Sequence, residues 1–315
     1  MLLAPTHRRP FGTTGLAVSP VAFGSAPVGL LASEREAASR LLNRLLDEGV
    51  NVIDTAAAYL GAEESIGAAI GHRRSEFVLV SKCGADNDER GWRQSTTAAE
   101  ITAQIERSLR RLKTDVIDVM LIHSLPLEVI RQGWAFEALA EAKRRGLIRF
   151  GGYSGDNEAA LWAVQQPGIS VLQTSINLVD QANIDMVLPT AAKHGVAVLT
   201  KRSIANGCWR PREQHYERYH AYVDPYRVRF AAMGLDLAAL GAAAGGVSGW
   251  AELALRFTLS FPQVHAAIVG GTSLDRALEN LAHAARGPLG GSVVAAMRSA
   301  FARARAGGGE WHGLT

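Results

Sequence analysis

The chain has 315 residues, 48% of them hydrophobic, with 33 lysines and arginines against 30 aspartates and glutamates and a formal net charge of +3. So weak a basic balance, with no Lys/Arg stripe carrying interleaved aromatics, argues against a nucleic-acid partner, and no apolar run approaches the ~20 residues that cross a bilayer, which argues against a membrane. Cys83 and Cys208 are too few for a disulfide framework or a zinc site, and the opening MLLAPTHRRPFGTTG lacks the order of a signal peptide, so a cytoplasmic setting is expected and no metal.

Arg9 to Phe23 reads as a β-hairpin, because turn residues from Gly12 to Gly15 separate two short extended segments. Val21 to Gly24 then reads as the first buried strand. Ser33 to Glu48 has helical spacing, with Ser33 as N-cap, Glu36 completing a capping box and Gly49 as the stop. Asn51 to Ile53 is a short strand and Glu63 to Ile70 a helix, in which Glu63 and Glu64 form the acidic first turn. The apolar run Phe77 to Ser81 predicts a fully buried strand. Thr96 to Leu112 is a helix with Ile101, Ile105, Leu109 and Leu112 on one face.

Val116 to Ile122 is the next strand, and Ile130 to Arg145 a helix that ends at Gly146. Strands at Ile148 to Gly152, Val171 to Ile176 and Val196 to Thr200 alternate with helices at Asn157 to Gln165 and Asp185 to His194. An irregular stretch runs to about Arg229, and helical patterns resume through Phe261. Val264 to Val269 is a last strand, Leu274 to Ala284 a helix, and Ser292 to Ala304 a tail helix before a glycine-rich end. Parallel strands need crossover helices, and eight strand–helix units close into a (β/α)8 barrel. The expectation is therefore an α/β chain forming a single-domain TIM barrel over residues 1–315, with an N-terminal β-hairpin and an extra C-terminal helix. A doubly wound sheet would carry a G-x-G-x-x-G turn after an early strand, and the chain has none there.

In such a barrel, site groups gather at the C-terminal ends of the strands. Asp54 and Tyr59 follow strand two, Lys82 strand three and His123 strand four. A tyrosine, ordinarily near pKa ~10, is a poor acid, and a nearby ammonium lowers that value. Lys82 supplies the cation, Asp54 holds it by an ion pair, and His123 offers a second hydrogen bond to a carbonyl oxygen. No side chain delivers hydride, so a cofactor is required. Each residue alone has an ordinary reading: a loop cap for Asp54, packing for Tyr59, a snorkelling surface lysine, a satisfied core histidine. Four together at neighbouring strand ends favour chemistry. Trp92, Trp209 and Trp311 are candidate walls of a substrate pocket. The aromatic stretch from Trp209 to Arg229 reads either as a lid or as a peripheral helix on the barrel rim. Cys83 reads as inert packing.

The stretches FGTTGLAVSPVAFG, VIDTAAAYLGAEESIGAAI, VLVSKCG, LRRLKTDVIDVMLIH, GLIRFGGYSGDN and IVGGTSLDRALENL, in that order, resemble the aldo-keto reductase superfamily over nearly the whole chain. The resemblance implies that Asp54, Tyr59, Lys82 and His123 form the family's catalytic tetrad. It also implies a nicotinamide cofactor lying extended across the barrel mouth. Its contacts would fall on Gly24, Ser154, Gly155 (where the family has asparagine) and Gln173. After strand seven they would fall on Lys201, Arg202 and Ser203, where the family often has an aromatic that stacks on the nicotinamide. The adenosine end would meet Gly270, Gly271, Thr272, Arg276, Glu279 and Asn280. Some relatives carry a phosphate-pairing lysine where Gly270 stands, but Arg276 offers a guanidinium and residues 271–272 open a helix N-terminus. NADP(H) is the expected cofactor, NAD(H) the alternative. The expected activity is NAD(P)H-dependent interconversion of a small-molecule carbonyl (aldehyde, ketone or sugar) and an alcohol. A non-catalytic nucleotide-binding regulatory barrel and a Schiff-base aldolase using Lys201 are the competing readings.

Overall fold

Eight short apolar runs, four of them buried along their whole length and the others over most of it, can satisfy their backbone only by pairing with one another under a coat of helices. The computed structural model describes residues 1–31, 35–88, 91–242, 245–308 and 311–314. The strands are β1 (Val21–Gly24), β2 (Val52–Asp54), β3 (Val78–Cys83), β4 (Ile117–His123), β5 (Ile148–Ser154), β6 (Ile169–Ser175), β7 (Ala197–Lys201) and β8 (Ala266–Gly270). They pair in parallel, each with the next, and β8 returns to β1 to close the barrel. The register places Gly24 beside Asp54, His123 beside Ser154, Ser154 beside Gln173 and Ser175 beside Lys201. The polar residues therefore collect at one mouth.

Inside the barrel, Val52, Val80, Val119, Leu121, Val171 and Leu199 form one apolar cluster, joined by Phe11 and Val18 of the N-terminal hairpin, in which Arg9–Pro10 pairs with Ala17–Val18. A larger cluster fills the space between strands and helices. The helices are α1 (Arg35–Asp47), α2 (Ala62–Ile70), α3 (Ala98–Leu112), α4 (Leu127–Ile130), α5 (Trp134–Arg144), α6 (Asn157–Ala163), α7 (Ala182–Met186), α8 (Leu188–Lys193), α9 (His220–Met233), α10 (Gly246–Thr258), α11 (Leu274–Ala285) and α12 (Gly291–Ala306). Helix α3 buries Ile101, Ile105, Leu109 and Leu112 as its periodicity predicts, and a capping box of Thr97 and Glu100 starts it. The predicted cap Ser33 lies outside the described residues. Among the described residues no helix is long and apolar enough to cross a membrane.

Four elements differ from expectation. The single helix predicted over 130–145 is two, α4 and α5, because Gly133 sits at φ 85° between them. The helix predicted over 185–194 is likewise split, with Pro189 in the first turn of α8. A second hairpin, Ala85–Asp88 with Gly91–Gln94, stands directly after β3 and carries Trp92. The stretch expected to be irregular up to Arg229 instead enters α9 at His220, with Pro225 inside the helix. A proline there reads as a breaker, and the mixed aromatic and charged residues hide the helical period.

Strand β5 leaves no room for a side chain at Gly152. A β-carbon there would stand 2.1 Å from the Val171 carbonyl oxygen and 2.5 Å from Leu121 Cδ2. Gly152→Ala is therefore expected to cost about 1–3 kcal/mol by overpacking, read as a lowered Tm in a thermal scan; an unchanged Tm would show that the wall yields freely at this point.

Candidate active site

The mouth is organised by one buried cation. Lys82, on β3, has no exposed surface. Its Nζ lies 2.8 Å from both carboxylate oxygens of Asp54, the last residue of β2, and donates to the Thr55 carbonyl at 2.7 Å. Burial alone would lower the lysine's pKa, but the Asp54 charge and the adjoining Tyr59 leave it above its ordinary value, so it stays an ammonium at neutral pH. The same Nζ stands 4.9 Å from the centroid of the Tyr59 ring.

Tyr59 departs from expectation. Burial pushes its phenol above the ordinary range, and the Lys82 charge, which pulls it down, does not overcome that push; Asp54 adds to it. The phenol is accordingly neutral, which is the form that can give a proton away. His123 ends β4. Its ring meets those of Tyr59 and Trp92 edge-on, with centroids 5.8 Å and 5.2 Å away. Burial first, and then the charges of Lys82 and Lys201, hold the imidazole well below its ordinary pKa. It is a neutral ring, and its buried Nδ1 has no hydrogen-bond partner among the described residues.

The predicted cofactor contacts on β5 and β6 are tied to this group. Ser154 Oγ donates to Gln173 Oε1 at 3.0 Å, and Gln173 Nε2 donates to Asp54 Oδ1 at 2.6 Å. Gly155 departs from the family's asparagine for a visible reason. A β-carbon at 155 would lie 2.5 Å from the hydroxyl oxygen of Tyr153, whose OH is held by the Leu125 carbonyl at 2.8 Å. The nearby Asn157 does not take over, since its amide is bound to Gly313.

Lys201 is held at 3.0 Å by Asp156, a carboxylate on the loop after β5 that also accepts from Thr174, the Ser175 amide and Asn183. Burial would raise the Asp156 pKa, but Lys201 and these donors bring it below the ordinary value. Arg202, at φ 57°, lies over the Tyr222 ring and donates to the Leu314 carbonyl. The Ser203 hydroxyl is turned inward to Thr200. Residues 311–314 lie over these strand ends: Arg229 donates to the His312 carbonyl at 2.7 Å, and the Leu314 amide to Asp180 Oδ2 at 3.2 Å. Sequence reasoning missed Asp156 and this tail. The acid in GGYSGDN was a usable signal, placed at a strand end like the other four.

At the far side, Gly24 and Gly270 face each other across the closing seam. A β-carbon on Gly270 would stand 2.7 Å from the Gly24 carbonyl oxygen, so a lysine has no room there. Space around Gly271 is open. Thr272 precedes Ser273, whose side chain caps α11, and the exposed Arg276 makes no side-chain hydrogen bond or ion pair among the described residues. Glu279 accepts from Ser248 beside His283, and Asn280 is buried. A strip of bare backbone leading to a helix N-terminus and an unpaired guanidinium fits the phosphate-bearing end of a dinucleotide.

The three tryptophans separate. Trp92, 52% exposed, stands over His123 and faces the mouth. Trp209 packs with Phe230 and Trp250, and Trp311 packs on Phe301 beneath the Arg229 guanidinium. Those two therefore stand in aromatic clusters, and of the three only Trp92 meets the His123 ring. Glu63 and Glu64 both stand in the first turn of α2, as expected, but Glu64 is exposed whereas Glu63 is buried and accepts from Ser81 at 2.8 Å, with its pKa raised by burial. Burial also pushes both thiols up, that of Cys208 to about 12.

Residues 20–301 match the family model for the aldo/keto reductase family. The chain is 28% identical to the uncharacterized oxidoreductase YqkF of Bacillus subtilis, over 87% of this chain and 90% of that one. It superposes on the holo form of an aldo-keto reductase from Bacillus halodurans with a TM-score of 0.78 at 25% identity, covering 93% of this chain and 95% of the other. An aldo/keto reductase from Klebsiella pneumoniae, solved in complex with NADP and acetate, aligns with a TM-score of 0.66 at 25% identity, over 94% and 95%.

Because Asp54 is buried against Lys82, removing the lysine strands a charge. Lys82→Met is expected to cost about 3–5 kcal/mol in urea unfolding, and Lys82→Met combined with Asp54→Asn to recover part of that loss. A single variant as stable as the parent would contradict the pairing.

Proposed function

The chain belongs to the aldo/keto reductase family, and from that premise we propose that it interconverts a carbonyl and an alcohol with NADP(H), using Tyr59 to supply or remove the proton. The observation that carries this is the neutral Tyr59 phenol set against a permanently charged, fully buried Lys82, with the unpartnered imidazole of His123 alongside. When bound, the cofactor supplies hydride to the carbonyl carbon, or accepts it in the reverse direction. Ser154 and Gln173 would hold its carboxamide end, and the N-terminus of α11 with Arg276 its phosphate end.

The protein's own groups handle the oxygen. In reduction the Tyr59 hydroxyl gives its proton to the carbonyl oxygen as negative charge builds there. Lys82 stabilises the phenolate that remains, and Asp54 keeps the ammonium charged and aimed. His123, being neutral, keeps one N–H to hydrogen-bond the same oxygen without competing for the proton. In oxidation the phenolate takes the alcohol proton back. Trp92 forms an apolar wall beside the reacting oxygen, which suits an aldehyde, a ketone or a sugar carbonyl.

Tyr59→Phe is expected to lower kcat for carbonyl reduction by about 10²–10⁴, while NADPH binding, followed by fluorescence titration, is retained. Full turnover by this variant would sink the mechanism. Arg276→Met should weaken NADPH binding about tenfold or more and NADH binding little, because only the former offers an extra phosphate to a charge-assisted hydrogen bond. Equal losses for both would move the phosphate site elsewhere.

The pH dependence follows from the two shifts. Reduction needs the protonated phenol, whose raised pKa keeps it available as pH rises through neutrality. His123, lowered by burial, does not titrate there either. The kcat of reduction should therefore show no limb near pH ~6.5, the ordinary histidine range, and that of oxidation should climb into the alkaline range. A reductive limb at neutral pH that vanishes in His123→Gln would refute the neutral-imidazole assignment.

A further inference from the structure

The hydrogen bonds that converge on Asp54 give Gln173 more to do than touch a cofactor. Strands β2 and β6 stand four places apart in the closed ring of eight, the largest separation such a ring allows. Yet the Gln173 amide crosses that span and donates to Asp54 Oδ1 at 2.6 Å, on the same oxygen that Lys82 Nζ reaches at 2.8 Å. The other end of the amide is fixed as well, because Ser154 Oγ donates to Gln173 Oε1 at 3.0 Å. All four side chains are buried. The chain Ser154–Gln173–Asp54–Lys82 thus runs through β5, β6, β2 and β3 and ends beneath the Tyr59 ring.

We propose that Gln173 is a positioning residue for the proton-transfer group, holding the Asp54 carboxylate and drawing off part of its charge so that the Lys82 field reaches Tyr59. This rests on the reading of Tyr59 as proton donor. The physical reason is a competition already visible at the phenol: Lys82 stabilises the phenolate and Asp54 opposes it. A charge-assisted hydrogen bond in a buried setting neutralises part of the carboxylate's charge and fixes its orientation. Without that bond Asp54 is balanced by Lys82 alone, the ammonium is drawn toward it, and the phenolate is less well supported.

The test uses two substitutions of similar volume. Gln173→Leu removes the donor at every pH. Gln173→Glu sets a second carboxyl against Asp54, and two such groups share a proton because like charges at this distance resist ionising together. While protonated, the introduced carboxyl donates its O–H to Asp54 as the amide does; once ionised it cannot, and it adds a charge that opposes Lys82. At saturating NADPH, Gln173→Leu is expected to lower kcat for carbonyl reduction about tenfold or more with the carbonyl KM changed less than about threefold, independent of pH. Gln173→Glu is expected to show a kcat that falls about tenfold or more from its own acid-pH value as pH rises through the shared ionisation, a limb that the parent lacks. A merely structural glutamine would not generate that new pH dependence.

The second readout uses ligand-free protein. Infrared difference spectra of Gln173→Glu against the parent should show one additional protonated carboxyl at neutral pH, abolished in Gln173→Glu combined with Asp54→Asn. An introduced carboxyl that is ionised at neutral pH, a parent-like pH profile for Gln173→Glu, or a Gln173→Leu defect confined to NADPH affinity with kcat intact would each overturn the proposal. Absence of turnover in the parent protein with any carbonyl would instead overturn the reading of Tyr59, and the infrared measurement would still decide whether Gln173 bears on Asp54.

Discussion

An ammonium group with no contact with water is the constraint from which the rest of the mouth follows. Lys82 cannot be buried as a charge unless its donors are met, and the Asp54 carboxylate with the Thr55 carbonyl meets them at 2.7–2.8 Å. That demand fixes the end of β2 against β3. It places a positive field under Tyr59 and, together with burial, denies His123 a proton. The ion pair is weak support for stability by itself, since two buried charges lose hydration that their attraction only partly returns. Its value is in what it does to its neighbours' protonation.

The gathering of Asp54, Tyr59, Lys82 and His123 at one mouth was legible in the sequence because strand ends are. A buried strand announces itself as an apolar run, and Asp54, Lys82 and His123 interrupt or end such runs where packing alone would call for another apolar residue. The balance of forces on Tyr59 was not legible, because it depends on how deeply the phenol sits and not on which cation is nearby. Nor was the bond from Gln173 to Asp54, which joins residues 119 positions apart on opposite walls. Helix α9 and the hairpin bearing Trp92 were hidden by local signals, a proline and a short polar run, that tertiary packing overrides. Glu63 is the first-turn acid its position predicts, but spacing alone does not reveal that Ser81 faces it from β3.

Two departures from the family's pattern have steric causes. Gly155 stands where an asparagine is usual because the Tyr153 ring already occupies that volume, and Gly270 stands where some relatives have lysine because the Gly24 carbonyl lies where a β-carbon would go. In both places the neighbour, not the position itself, decides the residue. The aromatic often found after strand seven is here Lys201, and its charge is matched by Asp156, an acid itself embedded in donors from β6 and α7.

A ring of eight strands is stiff along its staves and soft in cross-section, since it can flatten into an oval while every ladder hydrogen bond survives. The apolar filling resists that flattening only by contact. The amide–carboxylate link from β6 to β2 acts as a spoke, a directional tie spanning the full diameter at the rim. Thermal flattening along that axis would compress the bond to a buried charge, and flattening at right angles to it would stretch that bond, whereas flattening along the diagonals between them would do neither. The barrel's softest breathing mode is therefore expected to squeeze the β3 and β7 walls together as β1 and β5 move apart, and to leave the distance across Asp54 unchanged.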